Sequence, residues 1–134
     1  MTARRPLLVM LAVAALACLL AGCGRDEPVT VGEGEIPGSV PDDFPVPAGA
    51  VVGSTLVDRV NHRTEFRLNM PEGSTPVIQF FTVNLVSAGY VVERSAGDDA
   101  RWSIQFSRGT LRGTVLIEPA GSGAATALVS INRS

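Results

Sequence analysis

The chain has 134 residues, a net charge of −2 and eleven basic residues, all of them arginine. With thirteen acidic residues against them, the balance excludes the basic excess that nucleic-acid binding requires. One histidine and two cysteines leave little from which catalytic or metal chemistry could be built.

The first element is a targeting segment. Arg4 and Arg5 precede Leu7–Leu20, a stretch without a charged side chain and with Cys18 as its one departure from apolar character. It is short for a membrane span, which needs about 20 residues. It matches the apolar core of a signal peptide followed by small residues. Leu20-Ala21-Gly22-Cys23 closes the segment, and this quartet resembles the lipobox of bacterial lipoproteins at every position. The resemblance implies cleavage before Cys23 and diacylglycerol on its thiol. It also implies a mature chain held by lipid at the outer face of the cytoplasmic membrane, without a transmembrane helix. An ordinary secretory signal or an uncleaved anchor is the competing reading. Arg4-Arg5-Pro6-Leu7-Leu8 matches a twin-arginine export motif only in part, which favours the general export route.

Removal of residues 1–22 takes two arginines and no acid, so the mature charge moves from −2 to −4. Cys18 leaves with the signal and Cys23 is used by the lipid. No thiol then remains for a disulfide, a metal or a nucleophile, and the domain must stand on its apolar core. Residues 23–43 comprise the lipidated cysteine and a stretch rich in Gly, Pro and acid with no regular period. This composition predicts a disordered tether with a reach of about 25 Å, whose negative charge keeps it off an anionic surface.

A single domain is expected over residues 44–134, about 90 residues and enough for one small core. Pro45 and Pro47 force an extended entry, with Gly49 permitting a turn. Val51–Asp58 has strand composition, Asn61-His62 suits a hairpin turn, and Thr64–Met70 alternates with Phe66, Leu68 and Met70 inward. Ser74 or Thr75, Pro76 and Gly89 mark the cap, first turn and stop of a helix. Ile78, Phe81, Leu85 and Ala88 form its apolar stripe, and Val83 and Val86 off the stripe imply a well-covered helix. A short strand Tyr90–Glu93 follows. Arg101–Arg108 then alternates with Trp102, Ile104 and Phe106 inward, and Arg108-Gly109 suits a tight turn. Strands Leu111–Glu118 and Thr126–Asn132 complete the order β-β-α-β-β-β-β. The expected fold is α+β in two layers, a mainly antiparallel sheet of about six strands with one helix on one face.

No catalytic, cofactor or metal set emerges, and the reading is that the protein is not an enzyme. His62 falls in a turn, and no nucleophile signature accompanies it. Asp42-Asp43 lies in the tether and Asp98-Asp99 in a turn with too few ligands for calcium. Gly32-Glu33-Gly34 and Gly121-Ser122-Gly123 lack the lysine and the strand-to-helix context of a phosphate loop. Arg67, Arg101, Arg108 and Arg112 lie on or beside strands and form a candidate partner surface, a basic strip for an acidic partner or anionic glycan. Their plainer role is to keep the sheet soluble. Trp102 shares a face with Ile104 and Phe106 and is assigned to the core.

Asp43-Phe44-Pro45-Val46-Pro47-Ala48-Gly49-Ala50 and Leu85-x-x-x-Gly89-Tyr90 resemble the openings and helix ends of small bacterial envelope domains, which implies a domain type and no activity. The sequence thus predicts a non-catalytic, lipid-anchored envelope module that binds an envelope protein, lipid or glycan, with no nucleic-acid partner and no cofactor. A carrier of a small apolar ligand between helix and sheet is the alternative. An envelope hydrolase is the second, and a pocket gathering His62 with a serine and an acid would favour it.

Overall fold

A computed structural model describes residues 27–134; the apolar segment and Cys23 lie outside the described residues. The elements are β1 (Val29–Glu33), β2 (Val51–Asp58), β3 (Arg63–Met70), α1 (Ser74–Ser87), β4 (Val91–Gly97), β5 (Trp102–Arg108), β6 (Leu111–Ala120) and β7 (Ala124–Arg133). All seven strands form one antiparallel sheet in the order β1-β2-β3-β7-β6-β5-β4. The fold is sheet-dominated, and the expected two-layer α+β arrangement with about six strands is incorrect. Dimensions explain why one helix cannot form a second layer here. Seven strands span about 29 Å across the sheet, whereas a helix is only about 10 Å wide. Accordingly, α1 packs against β4, β5, β6 and β7 and leaves β1 to β3 without it.

A strap, residues 34–50, covers part of what the helix leaves bare. Val40 and Phe44 on the strap are buried, and Ile36, Val46 and Ala50 pack against the same core. The Phe44 ring reaches Phe66, Phe81, Tyr90 and Phe106 at centroid distances of 5.7–6.5 Å. Residues 27–43, expected as part of a disordered tether, instead contribute an edge strand and the strap. β1 escapes sequence patterning because Val29-Thr30-Val31 is a run of three β-formers between proline, glycine and acid. Pairing with β2, Val29 opposite Asp58 and Val31 opposite Leu56, supplies the order that local composition does not.

Alternation sets the two faces of the central strands. Phe66, Leu68 and Met70 of β3, Val115 and Ile117 of β6, Ile104 and Phe106 of β5, and Val129 and Ile131 of β7 point into the core. Gly113 of β6 lies under the Phe106 ring: a Cβ there would come within 2.4 Å of its Cζ and 2.8 Å of the Ser130 carbonyl oxygen. The helix buries Val77, Phe81 and Leu85. Val83 and Val86 are exposed, so the well-covered helix expected from them is not found; no element lies over its outer side among the described residues. Gly73 rather than Ser74 or Thr75 is the N-cap, without a side-chain cap bond. At the other end Gly89, at φ +85°, closes a paired motif in which Tyr90 N–H donates to Leu85 O and Gly89 N–H to Val86 O. A further boundary moves. β4 runs on through Ser95-Ala96-Gly97, pairing with Ile104, Ser103 and Trp102. Trp102 itself is half-buried against the core, its Nε1 donating to Ser95 Oγ at 2.9 Å.

Candidate functional site

The four arginines expected to share a strip do not share one. Arg67 and Arg112 lie on the open face of the sheet, where their strands alternate outward. Arg101 precedes β5 and pairs with Glu118 at 3.3 Å. Arg108 points to the helix side, where it ties three elements together. Its Nη1 and Nη2 donate to the two Asp43 oxygens at 2.7 and 2.9 Å, and Nη1 also donates to Ala88 O at 2.9 Å. Its guanidinium lies 4.1 Å from the Tyr90 ring centroid. That hydrogen bond holds the Asp43 carboxyl below its ordinary pKa, and burial raises that of Tyr90. Arg108 is a structural clamp between strap, helix end and sheet.

A concavity lies where the helix does not reach. A groove of about 300 Å³ opens between the Ser39 stretch of the strap and the ends of β2, β3 and β7. Val57 and Ile131 form its apolar floor, and Ser39 and Thr64, hydrogen-bonded to each other at 2.7 Å, add hydroxyls. Arg59, His62, Arg133 and Asp58 complete the lining. A second, shallower depression runs on beneath β1 and shares Val57 and Arg59.

The β2–β3 turn sets the rim. Asp58 Oδ1 accepts from the backbone N–H groups of Val60 and Asn61, and Oδ2 accepts from Asn61 Nδ2 at 2.6 Å. These bonds, that of the Asn61 side chain foremost, lower the Asp58 pKa. The carboxylate is therefore ionised and committed to its own turn. His62 adopts φ +52°, the left-handed region, and its carbonyl accepts from Arg133 N–H. Arg59 Nη1 donates to Glu27 O at 2.7 Å and to Thr30 Oγ1 at 3.0 Å. Arg133 Nη2 donates to Ser39 O at 3.3 Å. Neither Arg59 nor Arg133 has a carboxylate partner among the described residues, unlike Arg63, Arg101 and Arg108. Two planar guanidinium groups thus keep donors free at one groove, the arrangement that suits a carboxylate or phosphate.

The groove also gathers His62 with a serine and an acid, but it does not connect them. Ser39 Oγ is bonded to Thr64, Asp58 is saturated by its turn, and no hydrogen bond among the described residues links either to the imidazole. Among the described residues no group of three or more His, Cys, Asp or Glu side chains is placed to hold a metal. None of their helices is long and apolar enough to cross a membrane. Asp98 accepts from the Ala100 and Arg101 N–H groups at its turn. Sequence reasoning placed His62 in the right loop but missed Arg59, Arg133 and Ser39, which come from three segments far apart in the chain. The available signal was the clustering of Arg59, His62 and Arg63 around one turn. Comparison of the chain with protein-family models, curated proteins and solved structures finds no match.

Proposed function

We propose that this protein is a lipid-anchored extracytoplasmic binding module without catalytic activity, attached to the membrane through Cys23. The lipobox-like Leu20-Ala21-Gly22-Cys23 supports the anchor. The groove supports the binding role: an apolar floor with two guanidinium groups that lack carboxylate partners among the described residues. Mass spectrometry of the mature N-terminus tests the anchor, and an unmodified start at any residue other than Cys23 would refute it. Crosslinking and pull-down from native membranes tests the binding role. Enrichment of a partner or lipid over a Cys23→Ala control is expected, and no enrichment counts against it.

One observation favours a second reading. Ser39, His62 and Asp58 line the same groove, and hydrogen bonds of a catalytic set can tighten only when substrate binds. A serine-reactive phosphonate probe separates the readings. Labelling that disappears in Ser39→Ala would establish a hydrolase, whereas the binding module stays unlabelled.

A further inference from the structure

Chain geometry fixes where the groove sits relative to the proposed anchor. Arg59 Nη1 bonds the Glu27 carbonyl, and Arg59 N–H bonds the Pro28 carbonyl at 2.8 Å. Glu27 is the fourth residue after Cys23, and four extended residues span at most about 14 Å. Whatever path residues 24–26 take, the Arg59 guanidinium cannot stand far from the lipid-bearing residue. The groove therefore opens within reach of the headgroup layer. Its chemistry suits that layer: Arg59 and Arg133 have no carboxylate partner among the described residues and keep guanidinium donors beyond those bonded to Glu27 O, Thr30 Oγ1 and Ser39 O, and Val57 and Ile131 offer an apolar floor for the adjoining carbon chain. Asp58, the acid of the lining, has its oxygens occupied by the turn.

We infer that the groove between the strap and the β2–β3 turn binds the phosphate headgroup of an anionic phospholipid in the membrane that carries the protein. The inference rests on the lipid-anchored reading for its location and on Arg59 and Arg133 for its chemistry. Bidentate guanidinium contacts hold the phosphate oxygens, and Ser39 and Thr64 lie beside them to accept or donate to glycerol hydroxyls. The mild negative charge of the whole chain does not oppose this, because the contact is local and screening restricts distant charges to a Debye length of about 8 Å at physiological salt.

The test uses residues 24–134, which contain every residue of the core described above and no lipid. Co-sedimentation with vesicles of phosphatidylcholine alone or mixed with phosphatidylglycerol is the measurement. Binding only to the mixed vesicles is expected, weakened by salt, and about fivefold weaker for each guanidinium removed. Arg133→Gln is the informative variant, since its side chain holds only one long bond to the strap. Arg59→Gln also loosens β1, so its fold is checked by circular dichroism. Arg94→Gln, an equal charge change on the far edge strand, leaves binding unchanged. Equal binding by wild type, Arg133→Gln and Arg94→Gln overturns the inference, as does absence of a preference for phosphatidylglycerol. Soluble glycerol phosphate that perturbs the Arg133 and His62 nuclear magnetic resonances while vesicles are not bound overturns it in favour of a free phosphate ligand. Because the tested chain carries no lipid, these outcomes are separate from the mass of the mature N-terminus, which decides the anchor.

Discussion

Gly113→Ala tests the packing that seats the strap. The added methyl would stand 2.4 Å from Phe106 Cζ, 2.8 Å from its Cε2 and 2.8 Å from the Ser130 carbonyl oxygen. All three lie inside ordinary contact distance. The Ser130 carbonyl belongs to the β6–β7 ladder and cannot swing away. The Phe106 ring must move, and it packs at 5.4 Å from Tyr90 and 5.7 Å from Phe44. Overpacking of this kind costs about 1–3 kcal/mol, while replacing a strand glycine by alanine returns about 0.5–1 kcal/mol. Contacts this short, one of them to fixed backbone, put the cost at the upper end, about 3 kcal/mol, so the net loss is about 2–2.5 kcal/mol, or roughly 8–20 °C in melting temperature for a domain near this size. Urea denaturation of residues 24–134 measures it, with Phe106→Leu as the second arm. Leucine removes the ring atoms that the methyl would strike, so Gly113→Ala should cost much less in that background. A Gly113→Ala protein as stable as wild type, or an equal cost in both backgrounds, would refute the seating of the ring on Gly113.

Phe44→Ala should cost about 3–5 kcal/mol, the usual range for a buried phenylalanine; a loss below about 1 kcal/mol would show that the strap is not part of the core. Arg108→Gln should destabilise the domain in a pH-dependent way. Asp43 has a lowered carboxyl pKa in the folded chain, so its pairing stabilises above the ordinary carboxylate range and is lost as pH falls through the lowered value. The stability gap between wild type and Arg108→Gln, followed by denaturation across pH, therefore narrows in acid; a constant gap would remove Asp43 from the account. His62→Gly relieves a left-handed backbone that costs about 1–2 kcal/mol for ordinary residues, and glycine's own entropy loss cancels part of this. Its melting temperature should be equal to wild type or higher, and a clear drop would mean that the imidazole is held by structural contacts.

Six strands and the helix were legible because their signals are local. Phe66, Leu68 and Met70 alternate without fault, as do Trp102, Ile104 and Phe106, and Gly89 stops the helix with a positive φ. The seventh strand was not, since Val29-Thr30-Val31 is too short to outweigh its neighbours and gains order only against β2. The same omission made a tether of residues that hold Val40 and Phe44 in the core. Counting residues could not reveal that one helix leaves β1 to β3 bare, because coverage depends on strand order. Arg108 illustrates a different limit: at the last position of β5 it follows the inward alternation of Trp102, Ile104 and Phe106, yet its charge suggested the surface. The groove stayed hidden for a topological reason. Ser39, His62 and Arg133 meet only after β7 inserts beside β3.

That insertion has a consequence for how the protein is made. β7, the last of the described strands in chain order, occupies the middle of the sheet, with Thr64 opposite Ile131 and Val115 opposite Val129. Until it arrives, β1-β2-β3 and β6-β5-β4 are separate halves with no ladder between them. Closing the sheet requires contacts between residues far apart in sequence, a slow class of folding step. The sheet is therefore complete only once β7 is available to pair with both halves. Truncation anywhere in Ala124–Arg133 acts on both halves at once, and a chain whose last strand is still held unfolded has no closed sheet.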